Sequence, residues 1–102
     1  MDKVTFPSTL APPRPYLIVA DAAAAISFYT AAFDAVEEER RANADGTRIA
    51  HATLSMFGGI VELADDAPRD TQGLRAPTAL GATTLTLHVD FADRASVDRV
   101  LA

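Results

Sequence analysis

The sequence predicts an α+β fold: a βαβββ module, followed by the opening strand and helix of a second module. Three observations carry this expectation. One phrase occurs twice: Leu17-Ile18-Val19 leading through Asp21 into a helical run, and Leu87-His88-Val89 leading through Asp90 and Asp93 into another, with Val19 and Val89 offset by 70 residues. Repeats are sought first because a missed one misassigns the fold. Apolar residues recur at spacings of three and four from Ala22 to Phe33, the mark of a helix with one buried face. Between the two copies, runs of strand-forming residues are separated by the tight-turn dipeptides Asp45-Gly46 and Gly58-Gly59, which is hairpin patterning.

Pro7, Pro12 and Pro13 make residues 1–13 an extended arm. The first module spans 14–65. Arg14 to Val19 reads as a strand, and Asp21 as the N-cap of a helix, its carboxylate taking amide protons orphaned at the helix start. The helix runs from Ala22 to about Ala32, its apolar face formed by Ala22, Ala25, Ile26, Tyr29 and Phe33. Val36 to Ala42 is a strand with little to bury, since Glu37, Glu38, Glu39, Arg40 and Arg41 fill it. Such a strand belongs at a sheet edge, where charge discourages unwanted pairing. Asp45-Gly46 turns the chain into a strand from Thr47 to Phe57, and Gly58-Gly59 turns it again into Ile60 to Ala64. Residues 66–82, with Pro68, Gly73, Pro77 and Gly81, form a linker. The second module opens at residue 83 with a strand from Thr83 to Val89. Asp90 or Asp93 then caps a helix running from Arg94 toward Ala102.

Composition narrows the function. The chain has 102 residues, 49% of them hydrophobic and 23% charged, the make-up of one small globular domain. Its net charge of −5, with nine basic residues, argues against a nucleic-acid partner, which requires clustered Lys and Arg. Cysteine is absent, which removes disulfides, thiolate nucleophiles and thiolate metal sites together. No stretch approaches the ~18–20 apolar residues of a membrane span, and the first residues lack a signal pattern. A cytoplasmic protein without a membrane partner is expected.

Period-two alternation sorts the strand residues into faces. With Gly58-Gly59 as the turn, Phe57 faces Ile60 and Ser55 faces Glu62. One face then holds His51, Thr53, Ser55, Phe57, Ile60 and Glu62. The other holds Leu54, Met56, Val61 and Leu63, the better core, to be covered by the helix. The polar face, joined by Thr84, Thr86 and His88 from the later strand, is left to line something. In this register His51 lies four residues from the partner of Glu62, roughly 13 Å away at ~3.3 Å per residue. No nucleophile–base pair emerges, because Ser55 has no His at cross-strand distance.

The order and spacing of these motifs resemble the glyoxalase/bleomycin-resistance/dioxygenase family, also called the vicinal oxygen chelate superfamily, and within it the PhnB-like subgroup. The residues that carry the resemblance are Pro15-Tyr16-Leu17-Ile18-Val19, Asp21, Ile26-Ser27-Phe28-Tyr29 with Phe33, His51-Ala52-Thr53-Leu54, the hairpin Gly58 to Leu63, and Thr84 to Val89. The resemblance implies paired βαβββ modules whose sheets curl into a cup. In metal-dependent members a divalent ion held there acts as a Lewis acid on two neighbouring substrate oxygens; other members only bind small molecules. Of the family's four ligand positions, the first falls on Arg14, which cannot ligate a cation. The second falls on Glu62, which can, the third on Thr84, a poor substitute for His, and the fourth beyond this sequence. A catalytic metal needs about three protein ligands, so no cofactor is assigned and a divalent metal stays as the rival.

The resemblance thus leads to a protein that binds a small molecule in a cup-shaped sheet without the family's complete metal site. The expected lining residues are Arg14, Tyr16, His51, Thr53, Ser55, Phe57, Glu62, Thr84, Thr86 and His88. Arg14, pointing into the cup, would hold an anionic ligand, and Glu62 is the best catalytic candidate. The rival is a divalent-metal-dependent lyase or dioxygenase whose remaining ligands come from a partner chain or from further C-terminal strands. The unfinished second module leaves an open strand edge, and edges of that kind are paired or covered. A homodimer, or a place within a longer product, follows from this.

Overall fold

A computed structural model of the chain describes residues 11–67, 71 and 73–101. It is α+β, in the order β1 (Tyr16–Val19), α1 (Ala22–Phe33), β2 (Val36–Ala42), β3 (Ile49–Met56), β4 (Gly59–Asp65), α2 (Pro77–Leu80) and α3 (Arg94–Leu101). The four strands form one mixed sheet in the order β1-β4-β3-β2. β1 lies parallel to β4; β3 is antiparallel to both β4 and β2. Most of the arm expected over 1–13 lies outside the described residues, as do 68–70 and 72 of the linker.

Local chemistry sets α1. The Asp21 side chain accepts from the Ala24 amide at 3.0 Å, as an N-cap should. Asp34 ends the helix in the left-handed conformation, φ 54°. One face of α1 packs on one face of the sheet. Ala22 and Ile26 meet Ala52, Leu54, Met56, Val61 and Leu63, with Leu17, Val19, Tyr29 and Phe33 partly buried around them. β2 is exposed along its whole length and forms the sheet edge, as its charge run predicts.

The β3–β4 turn lies one residue earlier than the sequence suggests. Phe57 and Gly58 occupy it, both at positive φ (51° and 76°), and Met56 pairs with Gly59. The register is therefore Ser55 with Ile60, Leu54 with Val61 and Thr53 with Glu62. A bulky residue in the left-handed region is strained. Phe57 is held there by ring contacts on both sides, its centroid 5.6 Å from Phe33 and 5.6 Å from Phe91. The β2–β3 connection is also longer than a two-residue turn. It runs over 43–48, with Gly46 at φ 75° and both the amide and the hydroxyl of Thr47 donating to Asp45.

The second module departs most from expectation. Thr83–Val89 is not a strand here: it forms no ladder with any described strand. The helix after it does form, capped by Asp93, whose side chain accepts from the Ser96 amide at 2.7 Å. Inside the expected linker, Asp66 accepts from Arg75 Nε at 2.7 Å and from the Ala76 amide at 2.8 Å. The Ala76 amide, foremost, holds the Asp66 carboxyl below its usual range, with Arg75 adding to the effect. This clamp seats Ala76 on Ile18 and Ala64, covering one end of the sheet face opposite α1.

Candidate functional site

The face opposite α1 carries His51, Thr53 and Ser55 of β3 and the even-numbered residues of β1 and β4. Register places Tyr16, Glu62 and Thr53 in one row across β1, β4 and β3. His51 lies two residues along β3 from Thr53. Ala64, on the same face of β4, is fully buried and small, so Tyr16 can reach diagonally across β4 toward His51.

Five side chains meet there. Arg14 Nε donates to Glu62 Oε2 at 2.9 Å. His51 Nε2 lies 3.1 Å from Glu62 Oε1 and 3.0 Å from Thr53 Oγ1. The Tyr16 hydroxyl is 3.3 Å from His51 Nδ1 and 3.3 Å from the Ala50 carbonyl, and its ring centroid is 5.5 Å from that of His51. His51 and Glu62 are largely shielded, with side chains 19% and 13% exposed. Tyr16 is open, at 44%. Burial, followed by the Glu62 carboxylate, raises the Tyr16 phenol above its ordinary value, while Arg41 pulls it the other way. Tyr16 is therefore a neutral hydroxyl at neutral pH.

The Glu62 carboxylate decides the state of His51 Nε2. A carboxylate is acceptor-only. A bare Nε2 lone pair 3.1 Å from Glu62 would oppose like charge, so Nε2 carries the proton and directs it at Thr53 Oγ1, beside Glu62. The Tyr16 hydroxyl donates to the Ala50 carbonyl and lies 3.3 Å from His51 Nδ1.

The contact between His51 and Glu62 corrects the sequence expectation, which held them roughly 13 Å apart. Moving the turn by one residue moves the pairing by two. His51 is then two residues, not four, from the partner of Glu62, and its side chain spans the remainder. Of the expected lining residues, Arg14, Tyr16, His51, Thr53 and Glu62 converge. Ser55 faces the same way one row further, between Ile60 and Val36. Phe57 does not belong to this face, because its place in the turn sends its ring onto Phe33 and Phe91. Thr84, Thr86 and His88 stand apart as well. All three are exposed on the unpaired segment, and among the described residues the one ionic partner of His88, itself 83% exposed, is Asp90 at 2.8 Å. Without a ladder, nothing orients that segment toward the cluster.

Two features of the surroundings were not legible in the residue pattern. Arg41, assigned to a solvated edge, pairs across from His51 and acts on Tyr16; counting pairs from the 43–48 loop would have set it opposite Ala50, and the irregularity between Arg41 and Ala42 moves it one residue on. On the other side of β1, a cleft of about 890 Å³ opens between α1, β1 and residues 74–89. Its walls include Leu17, Val19, Phe28, Tyr29, Leu80 and Leu85.

The donor set does not suit a divalent cation. Arg14 engages one oxygen of Glu62 and His51 lies against the other. Among the described residues, no three His, Asp or Glu side chains gather as ligands. What the cluster can do is bind through Arg14 and the two hydroxyls. No helix among the described residues is long and apolar enough to cross a membrane.

No protein-family model matches the chain. Uncharacterized proteins of Mycobacterium bovis and Mycobacterium tuberculosis are each 46% identical to it over 80 residues, covering 78% of this chain and 52% and 46% of theirs. The chain thus spans about half the length of the curated relatives it matches. The X-ray structure of a gene product from Arabidopsis thaliana is similar with a TM-score of 0.68 and 18% identity, over 91% of this chain and 72% of that one. At that identity the likeness is one of fold.

Proposed function

We infer that this chain is a glyoxalase/bleomycin-resistance-like protein, similar to the PhnB-like subgroup, that binds a small molecule on the open face of its sheet without a metal. One observation carries the reading: Arg14, Tyr16, His51, Thr53 and Glu62 converge on the sheet face that α1 leaves free. The β-α-β-β-β order, with β1 inserted parallel beside β4, supports the family. A cation and two hydroxyls beside the apolar Val36 and Ile60 suit a small polar ligand with an apolar body.

Thermal-shift screening of small aromatic and carboxylate compounds tests this. The expected result is a rise in melting temperature that persists in EDTA and is lost in Arg14→Ala. Roughly one zinc or nickel ion per purified chain, lost in Glu62→Ala, would overturn it in favour of a metal-dependent lyase or dioxygenase.

The same reading includes a homodimer. No described strand pairs with the outer edge of β1, and Phe28, Leu80 and Leu85 are exposed along the cleft beside it. Open edges and apolar clefts of this kind are surface that a second copy covers. Light scattering should give twice the 10.8 kDa chain mass; a monodisperse monomer at that mass contradicts the dimer.

A further inference from the structure

We propose that the cleft between α1, β1 and residues 74–89 binds an amphipathic monoanion, with its carboxylate on Arg75 and its aliphatic tail among the leucines and aromatics of the walls. The site is separate from the polar cluster on the sheet face, of which Tyr16 alone also lines the cleft. The proposal goes beyond the reading of that face and does not rest on it.

The apolar part comes first. Among the described residues, five of the eight large hydrophobic side chains left exposed line this one cleft: Tyr16, Phe28, Leu74, Leu80 and Leu85. Apolar residues scattered singly over a surface need no explanation, whereas a gathered patch marks a place of binding. The segment 83–89 adds a wall. It forms no ladder with any described strand, yet Leu85, Leu87 and Val89 line the cleft and Thr86 and His88 do not. Its alternation thus gives the cleft an apolar side. At about 890 Å³ the cleft lies within the roughly 300–1,000 Å³ of small-molecule sites. A second copy over the β1 edge would cover the rim; the hollow behind the rim still needs contents, because protein interiors are close-packed.

Charge selects the head group. The chain has 14 acidic and nine basic residues, but the one charged residue in the lining of the cleft is Arg75, a cation. Arg75 is also held in place. Asp66 accepts from its Nε at 2.7 Å and turns its other oxygen to the Ala76 amide. That contact takes one of the five guanidinium N–H donors. The terminal nitrogens have no hydrogen-bond partner among the described residues, and the side chain is 45% exposed, so a ligand can reach it. A guanidinium fixed in this way suits a carboxylate, which its parallel N–H groups grip at both oxygens. A cationic head group would meet like charge there.

Isothermal titration calorimetry of the 102-residue chain with laurate, kept below its micelle concentration, should give one laurate per chain. Each methylene added between octanoate and laurate should tighten binding about fourfold. Dodecyltrimethylammonium, with the same tail length and the opposite charge, should bind about tenfold more weakly, and Arg75→Gln should weaken laurate by about the same factor. Arg75 also holds Asp66, so a second variant guards against a change in fold. Leu80 is 65% exposed, and Leu80→Asp should weaken laurate and strengthen dodecyltrimethylammonium. Circular dichroism checks that both variants are folded, and if Arg75→Gln is not, the reversal in Leu80→Asp decides. In NMR spectra laurate should shift the amides of Phe28 and Leu85 and leave that of Thr53, on the sheet face, in place. Equal affinity for the two head groups overturns the proposal. So do affinity independent of tail length, shifts confined to the sheet face, no binding, or uptake of many molecules with loss of the dichroism signal. A stable dimer that takes up no laurate overturns it while leaving the homodimer standing.

Discussion

Leu63→Ala is expected to destabilise the fold by about 3 kcal/mol, within the range measured for large-to-small core changes. Among the described residues, Leu63 and Leu54 are the largest side chains that are fully buried. Leu63 stands in the middle of the sheet, paired with Leu17 on one side and Ala52 on the other, beneath α1. Its neighbours decide the size of the effect. Ala52 and Ala22 are small and fully buried, so they cannot lean in to fill the space, and a cavity remains. A small domain has a total stability of roughly 5–15 kcal/mol, of which this single change removes a large share. Urea unfolding followed by circular dichroism should show a lower midpoint at unchanged slope. A loss under about 1 kcal/mol would mean that the core collapses around the site, contrary to the usual cavity cost.

The same face explains how much of the fold the sequence made legible. The α1–sheet core could be read because its determinants are local. Asp21 caps the helix, alanines and aromatics repeat at helical spacing, and a charge run marks β2 as an edge. The turn before β4 could not, because its outcome is tertiary. Reading φ > 0 from residue type selects Gly58-Gly59. The chain instead places Phe57 in the left-handed region, where contacts with Phe33 and Phe91 hold it. A one-residue error in the turn shifts pairing by two, which is the period of a strand. The paired residues of β3 and β4 therefore kept their predicted faces, Phe57 in the turn did not, and the core was right. Distances within the face were wrong, and His51 seemed out of reach of Glu62.

Arg41 and the second module failed for different reasons. The β2–β3 pairing carries irregularities between Glu37 and Glu39 and between Arg41 and Ala42. Bulges of this kind re-aim side chains without leaving a mark in an unbroken charge run. In Thr83–Val89 the alternation is plain, but alternation states only that a strand could be half buried. A strand exists where a ladder partner stands beside it, and none of the described strands offers one. Thr84, Thr86 and His88 lose their place at the site for that reason.

Asp65→Asn is expected to cost about 2 kcal/mol, because two hydrogen bonds to a charged acceptor are each worth ~1.5–3 kcal/mol and an amide can replace only one of them. Asp65 closes β4. One carboxylate oxygen accepts from the Ala22 amide at 2.8 Å, and the other from the Ile49 amide at 2.7 Å. The first bond places a negative charge at the start of α1, where the helix dipole favours it. The second ties the start of β3 to the end of β4. Asparagine keeps one acceptor oxygen but turns an NH2 group toward the remaining amide, leaving a part-buried donor unsatisfied. Amide hydrogen exchange should speed up at Ala22 or Ile49 while the Leu54 amide stays protected until global unfolding. Unchanged protection at both would remove Asp65 as the tie. The consequence reaches the candidate site, because His51 lies two residues beyond Ile49 and its reach to Glu62 depends on where β3 begins. A loosened Ile49 should therefore weaken ligand-induced thermal shifts more than Leu63→Ala does, although Leu63→Ala costs more stability. One change deepens a cavity on the far face; the other unfastens the strand that carries the imidazole.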